Sequence, residues 1–302
     1  MHYYGATGVV ASSIPATEHA VATSNILRIE KELFGLGKGY TFVNDEQRDI
    51  CHKMVADNVD KRLIAEIMFM YELIVVKFPT GFISYVCDSF DFWGMLTIGL
   101  PYMKDVILNR YGRVVIRPDS GDPFKVVCGD MFANTEVERI GAARQLMNVF
   151  GCVVNKAGYR EYPPQIGLIY GDSITPQRCL NILQGMEQLD LASSCCVFGV
   201  GSYTYQCNTR DTFGFAVKAT YTEVEGEPIA IFKDPKTDSK KKSAKGLLFV
   251  GKSCTGDRLD LEDDVSREDE QSDRNLLTTR FEDGIFHNMT TLEVIRERLA
   301  NG

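Results

Sequence analysis

The chain is 302 residues long, 44% hydrophobic and 25% charged, which is ordinary for a soluble globular protein with room for one large domain or two small ones. Its net charge of −8 supplies no basic field for nucleic acid or an anionic membrane surface. The most apolar stretch, Leu63 to Phe78, is broken by Glu66, Glu72 and Lys77 and falls short of a membrane span, and "MHYYGATGVV" lacks the charged start and apolar centre of a signal peptide.

In chain order, helices are predicted from Thr17 to Phe34, from Glu46 to Asp57 and from Lys61 to Val76. Phe82 to Cys87 then reads as a buried strand ending at Asp88-Ser89, followed by a helical stretch from Phe90 to Asn109. Arg113 to Ile116 is the next strand, and it ends in Arg117-Pro118-Asp119-Ser120-Gly121. A helix from Glu136 to Phe150 precedes a strand from Ile166 to Tyr170, which ends at Gly171-Asp172-Ser173. Pro176 to Gln188 is helical, with Pro at the tolerated first turn, and Ser194 to Phe198 is a strand ending in "GVGSYT". The polar turns at Asp88, Asp119, Asp172 and Gly199 fall 31, 53 and 27 residues apart, the long interval holding the insertions "CGDMFANTEV" and "NKAGYREYPPQ".

Strand, polar turn and helix in alternation argue for a parallel α/β sheet or barrel, in which ligands bind at the carboxyl ends of the strands. All four polar turns belong to that edge. Beyond Arg210 the texture changes to a hairpin (Phe215 to Thr222 and Glu227 to Phe232) and the lysine-rich loop "KDPKTDSKKKSAKG". After them come a strand from Leu247 to Val250, an acidic solvated loop "LEDDVSREDEQSD", the strand-like "GIFHN" and a helix from Leu292 to Leu299. Two parts are expected: residues 1–220 as a barrel-like core, and residues 221–302 as an added region packed on it. No internal repeat aligns beyond the strand-turn-helix unit.

Nine cysteines without a C-x-x-C pair, several inside apolar runs (Cys87, Cys195 and Cys196), read as reduced core thiols in the cytoplasm. Four dispersed histidines offer no zinc pattern. Asp88, Asp119 and Asp172 each stand at a strand end, where a carboxylate either caps the next helix or binds sugar hydroxyls or magnesium. Three at one edge, with Arg117 between them, favour the site. Gly199 and Gly201 in "FGVGSYT" admit a phosphate to backbone N–H groups, and Arg210 could complete such an anion site. His19 begins a helix after "SIPATE", and residue logic alone reads it as a histidine without a chemical role. Lysines 233, 236, 240, 241, 242 and 245 form a run that is either solvated or a polyphosphate-facing loop.

Taken together, "YYGATGVVASSIPATEH", "VCDSFDFW", "VVIRPDSGDP", "YGDSIT", "FGVGSYTYQCNTRD", "FAVKATY" and "IFKDPKTDSKKKSAKG" resemble, in order, the motifs of the nicotinamide phosphoribosyltransferase family. The resemblance runs from residue 3 to about residue 250, and more weakly through "FEDGIFHNMTTLEVIRERL". It implies the irregular α/β barrel of type II phosphoribosyltransferases, here incomplete. The implied reaction joins nicotinamide to phosphoribosyl pyrophosphate, giving nicotinamide mononucleotide and pyrophosphate in NAD salvage, with Mg2+ and with ATP hydrolysis coupled through a phosphorylated histidine.

By the same resemblance, His19 is that phosphoacceptor. Arg117 and Asp119 hold the phosphoribosyl moiety and help place the nicotinamide amide. Ser84 and Asp88 line the base tunnel and ribose-phosphate site, Gly171 and Asp172 form the ribose-hydroxyl turn, and Gly201, Ser202 and Arg210 cradle the 5′-phosphate. Lys218, Lys233 and Lys241 resemble basic positions near ATP and pyrophosphate. Ser202 or Tyr203 replaces a further family glycine.

Family chains are expected to be about half as long again, the extra part preceding Met1. That part supplies one aromatic of the ring sandwich, a base-recognising aspartate and several phosphate contacts. Tyr3 and Tyr4 match the "YYG" that follows it and do not replace it. The resemblance therefore implies a homodimer, or a complex with an N-terminal half, that is needed for activity. The alternative is a catalytically inactive remnant that binds phosphate ligands or dimerises with a full-length partner.

Overall fold

The computed structural model describes residues 2–5, 8–37, 39–201, 217–233, 242–256 and 258–301. Ser202, Arg210 and Lys241 lie outside the described residues. The chain divides into two compact units, Met1–Ser243 and Ala244–Gly302.

The first unit opens with an antiparallel pair, β1 (His2–Gly5) and β2 (Gly8–Ser12). Helices α1 (His19–Phe34), α2 (Asp45–Ala56) and α3 (Lys61–Tyr71) follow, and α3 runs on into a π-helical turn, Glu72–Lys77. Next come β3 (Thr80–Val86), the short α4 (Phe92–Gly94), a π-helical turn Met95–Gly99, α5 (Leu100–Leu108) and β4 (Tyr111–Arg117). Helices α6 (Pro123–Cys128) and α7 (Glu136–Phe150) lead to a small hairpin of β5 (Val153–Val154) and β6 (Arg160–Glu161). The alternation closes with β7 (Ile166–Tyr170), α8 (Pro176–Gln188) and β8 (Cys196–Phe198), before the hairpin β9 (Tyr221–Val224) and β10 (Glu227–Ala230).

Strands β3, β4, β7 and β8 form one parallel sheet in chain order, so every crossover carries helix and every carboxyl end points the same way. Alternation along the strands decides what each face meets. Ile83, Tyr85, Val114, Ile116, Leu168 and Tyr170 are all at most 1% exposed. They join the apolar core with Ile64, Ile67 and Met68 of α3 and Leu146 of α7. Register sets Ser84 beside Val115 and Val86 beside Arg117, which brings a polar pair of residues to the same sheet. Helix α3 is buried from Leu63 through Tyr71, which explains why its sequence is apolar all round rather than on one stripe.

One further segment extends this edge. Ala16 bridges Ser84 in parallel; the Thr17 N–H donates to the Ser84 carbonyl at 3.0 Å, and the Ser84 N–H donates to the Pro15 carbonyl at 2.8 Å. The Val86 N–H donates to Thr17 Oγ1 at 2.7 Å. Residues 15–17 thus lie along β3 and deliver the start of α1 to the carboxyl edge of the sheet.

The second unit holds the antiparallel pair β11 (Leu247–Lys252) and β12 (Leu259–Val265), α9 (Arg267–Glu270), the pair β13 (Phe281–Glu282) and β14 (Ile285–Phe286), and α10 (Leu292–Asn301). The acidic stretch expected as a loop is strand and helix. A two-stranded ribbon with mostly exposed residues needs no apolar alternation, so acidic residues fit β12, and Ser266 caps α9 by accepting from the Asp269 N–H at 3.1 Å. Helix α6, which the sequence pattern did not predict, is too short to show a period.

Candidate active site

The carboxyl edge gathers charged side chains from four separate segments. His19 is the first residue of α1, whose N-cap is Glu18: the Glu18 carboxylate accepts from the Ala20 and Val21 N–H groups at 2.8 and 3.1 Å. This cap leaves the imidazole free to face the strand ends. Its Nε2 lies 3.5 Å from Asp88 Oδ1, 3.5 Å from Asp119 Oδ2 and 3.3 Å from Lys233 Nζ, while Nδ1 faces Ser89 Oγ at 3.4 Å. Asp88 is 1% exposed, accepts from the Asp119 N–H at 3.0 Å and from the Ser120 hydroxyl, and lies 3.8 Å from Lys233 Nζ. Arg117 donates to the Thr17 carbonyl at 2.7 Å and holds its Nε 3.6 Å from Asp119 Oδ2.

Caps and site residues are separated by three positions at each strand end. After Asp88, Asp91 caps α4 by accepting from the Gly94 N–H; after Asp119, Asp122 caps α6 by accepting from the Lys125 N–H; after Asp172, Thr175 caps α8 by accepting from the Arg178 N–H. The tetrapeptides Asp88-Ser-Phe-Asp91, Asp119-Ser-Gly-Asp122 and Asp172-Ser-Ile-Thr175 therefore divide the two duties. The fourth residue satisfies the free N–H groups of the next helix, and the first is released from that task.

The electrostatics follow from this packing. Burial alone would raise the Asp119 carboxyl, but the His19 hydrogen bond and the charges of Arg117, His19 and Lys233 outweigh it and hold the group below the usual carboxylate value. Beneath the edge, Glu66 of α3 is 1% exposed; burial, with the nearby charges of Asp88 and Asp91, pushes its carboxyl well above the ordinary value. Among the described residues, Ser84 Oγ, Asp88 Oδ1 and Arg117 Nε are buried side-chain atoms without a hydrogen-bond partner. Such atoms are costly in a finished core and are expected where a polar ligand completes the bonding. Among the described residues no three histidine, cysteine or carboxylate side chains are grouped to hold a metal ion.

Gly171 and Gly199 supply close backbone approach. A Cβ on Gly199 would stand 2.7 Å from Gly171 Cα, and one on Gly171 would stand 3.3 Å from Asp119 Oδ1, so the β7 turn sits directly against the Asp119 carboxylate. The structure thus brings together His19, Asp88, Arg117, Asp119, Gly171 and Lys233, with Ser84 on the adjoining strand and Asp172 beginning the turn after Gly171. Gly201 and Lys218 are exposed, and an added Cβ on Gly201 would meet nothing within 4 Å. Sequence reasoning missed Thr17, Ser89 and Ser120, the polar contacts that orient Arg117, His19 and Asp88. The serine following each strand-end aspartate was the available signal. A separate open cleft of about 740 Å³, walled by Glu46, Asp49, Lys53 and Tyr102 among others, contains none of these residues.

Residues 9–285 match the nicotinate phosphoribosyltransferase (NAPRTase) family. The chain is 42% identical over 306 aligned residues to nicotinamide phosphoribosyltransferase of Acinetobacter baylyi, covering 99% of this chain and 53% of that protein. It is 37% identical over 177 residues to nicotinamide phosphoribosyltransferase of Mycoplasma pneumoniae, covering 58% of this chain and 39% of that protein. For the Xanthomonas campestris protein of the same name the values are 33% over 227 residues, 72% and 44%. The chain spans about half the length of the Acinetobacter relative, and its matched segments cover 39% and 44% of the other two.

Proposed function

The chain belongs to the nicotinate phosphoribosyltransferase (NAPRTase) family, and on that premise we propose that it carries the carboxyl-terminal part of a nicotinamide phosphoribosyltransferase active site. Its mixed α/β fold with a parallel sheet fits the type II phosphoribosyltransferases. The reaction assigned is transfer of phosphoribose from phosphoribosyl pyrophosphate to nicotinamide, giving nicotinamide mononucleotide and pyrophosphate in NAD salvage. The observation that carries this reading is one edge where, among the described residues, Ser84 Oγ, Asp88 Oδ1 and Arg117 Nε are buried without a hydrogen bond beside His19, Asp119 and Lys233.

Such a transfer needs a held leaving group, a fixed ribose and a placed ring nitrogen, and it requires no nucleophilic side chain for the sugar. In this reading Arg117 grips the phosphoribosyl group. Asp119, kept charged by His19, Arg117 and Lys233, helps place the nicotinamide amide. Ser84 and Asp88 line the base and ribose-phosphate positions, Gly171 and Asp172 meet the ribose hydroxyls, and Gly201, Ser202 and Arg210 take the 5′-phosphate. Lys218, Lys233 and Lys241 neutralise ATP and pyrophosphate. His19, whose Nε2 faces the charged cluster, accepts the terminal phosphoryl group of ATP as ADP leaves. Magnesium enters with the polyphosphates rather than on a protein-built site. The protein acts in the cytoplasm, as a homodimer or in complex with an N-terminal half. Among the described residues no helix is long and apolar enough to cross a membrane.

The test is a steady-state assay of nicotinamide mononucleotide synthesis by the chain alone and with the amino-terminal portion of such a protein. Little synthesis alone and restoration by the added portion are expected. Asp119→Ala abolishes synthesis, whereas His19→Ala removes only the stimulation by ATP. Full activity of the isolated 302 residues would remove the requirement for the other portion, and wild-type activity of Asp119→Ala would remove the site.

A further inference from the structure

The helix of His19 and two of the segments that face its imidazole meet again around Arg62. This residue is the second of α3 and lies outside the strand-end motifs. Its guanidinium carbon stands 4.7 Å from the centre of the Phe90 ring and 5.8 Å from that of Phe232, and the two rings meet edge to face at 6.0 Å. Its Nε donates to Glu30 Oε2 at 2.8 Å. Phe90 directly follows Asp88-Ser89, Phe232 directly precedes Lys233, and Glu30 lies on the helix that begins at His19. One guanidinium therefore touches the helix that carries His19 and two of the three segments that supply partners to its imidazole, the Asp88-Ser89 and Lys233 segments.

Resting on the function proposed above, we propose that Arg62 is a positioning residue: held between Phe90 and Phe232 and tied to Glu30, it fixes the spacing of His19, Ser89 and Lys233. The chemistry suits arginine. A planar cation stacks on aromatic faces while its N–H groups remain available to a carboxylate in the ring plane, and lysine reproduces the charge but not the plate. Phe90 is 8% exposed, so the contact is shielded on that side, where the attraction is stronger than at an open surface. Strain elsewhere is not needed to explain the arrangement. Among the described residues Arg62 pairs with Glu30, Phe90 and Phe232 rather than with the charged cluster, so its effect on the reaction passes through these neighbours.

The test compares Arg62→Ala with Arg62→Lys in the protein containing this chain and its amino-terminal portion, and adds Phe232→Leu as a milder variant should the alanine form not fold. Two quantities are read. The first is the ring ¹⁵N resonances of His19, assigned by difference with His19→Gln, with His52 as an internal control because its ring packs on Phe42 in another part of the unit. The second is the split between kcat and KM for synthesis. The expected result is a shift of the His19 resonances with those of His52 unmoved. A loss of the stimulation of kcat by ATP, up to about 10- to 100-fold and no greater than that of His19→Ala, accompanies it with KM for nicotinamide little changed. Arg62→Lys recovers both in part, and Phe232→Leu reproduces the shift in weaker form. Unmoved His19 resonances in a folded Arg62→Ala or Phe232→Leu protein overturn the proposal, as does a kcat loss without such a shift. Failure of the wild-type protein to make nicotinamide mononucleotide would instead sink the function, leaving the resonance comparison to decide the role of Arg62.

Discussion

Replacing Asp88 tests the site as a piece of folded structure, independently of any substrate. The carboxylate is 1% exposed and accepts from the Asp119 N–H at 3.0 Å and from the Ser120 hydroxyl. It also faces Nε2 of His19 at 3.5 Å and Nζ of Lys233 at 3.8 Å, the latter side chain 12% exposed. A hydrogen bond to a charged group contributes about 1.5–3 kcal/mol, and removing one partner of a buried charged pair costs about 3–5 kcal/mol because the other is left uncompensated. Asp88→Ala strips the carboxylate acceptor from beneath the β4 turn and removes a buried charge that faces both His19 and Lys233. The expected loss is about 3–5 kcal/mol. Asp88→Asn keeps the volume and one acceptor and is expected to lose about 1.5–3 kcal/mol. Urea denaturation followed by the fluorescence of Trp93, the sole tryptophan and part of α4 in the same unit, measures both. A loss below about 1 kcal/mol for Asp88→Ala would refute the reasoning, since a surface ion pair is worth no more than that.

Two glycines on the same edge should respond oppositely to alanine. Gly199→Ala places a Cβ 2.7 Å from Gly171 Cα and is expected to cost about 1–3 kcal/mol in the same denaturation assay, whereas Gly201→Ala, with nothing within 4 Å of the added carbon, is expected to be nearly neutral. Two carboxyls should give pH dependences of opposite sign. Asp119 is held below its ordinary 3.8 in the fold, so its contribution is present above that value and lost as pH falls through the folded one. Asp119→Asn should therefore lose stability near neutrality and converge with the parent in acid. Glu66 is raised well above its ordinary 4.5, so the native fold is favoured below that value and progressively penalised as pH rises past it; the stability of Glu66→Gln relative to the parent should grow with pH. A pH-independent difference for either variant would overturn its assignment.

Much of the fold was legible because buried parallel strands and their crossover helices write strong local signals. Helices α7 and α8 and strand β7 fall where apolar periodicity and terminal residues put them, and the alternation alone identified the carboxyl edge. The short α6 and the acidic β12 were not legible. The first lacks a full period, and the second is a mostly exposed ribbon whose pairing, not composition, makes it a strand.

For the site, residue logic determined which residue types stand at the strand ends, and the collinear motifs supplied the other candidates. Whether Asp88, Asp119 and Asp172 are caps or site residues is undecidable from one aspartate, because both uses require the same carboxylate beside a helix start. Tertiary structure gives the caps to Asp91, Asp122 and Thr175 three residues later, which leaves the first aspartates clear of that duty. His19 was the least legible residue of all. Its neighbours Ser89, Asp119 and Lys233 are 70, 100 and 214 residues away along the chain. Their approach depends on residues 15–17 lying along β3 and on Arg62 joining Phe90 to Phe232. Local sequence encodes strands, turns and caps through short-range sterics and hydrogen bonds; a charged cluster assembled from four segments exists only once the sheet has set their separation.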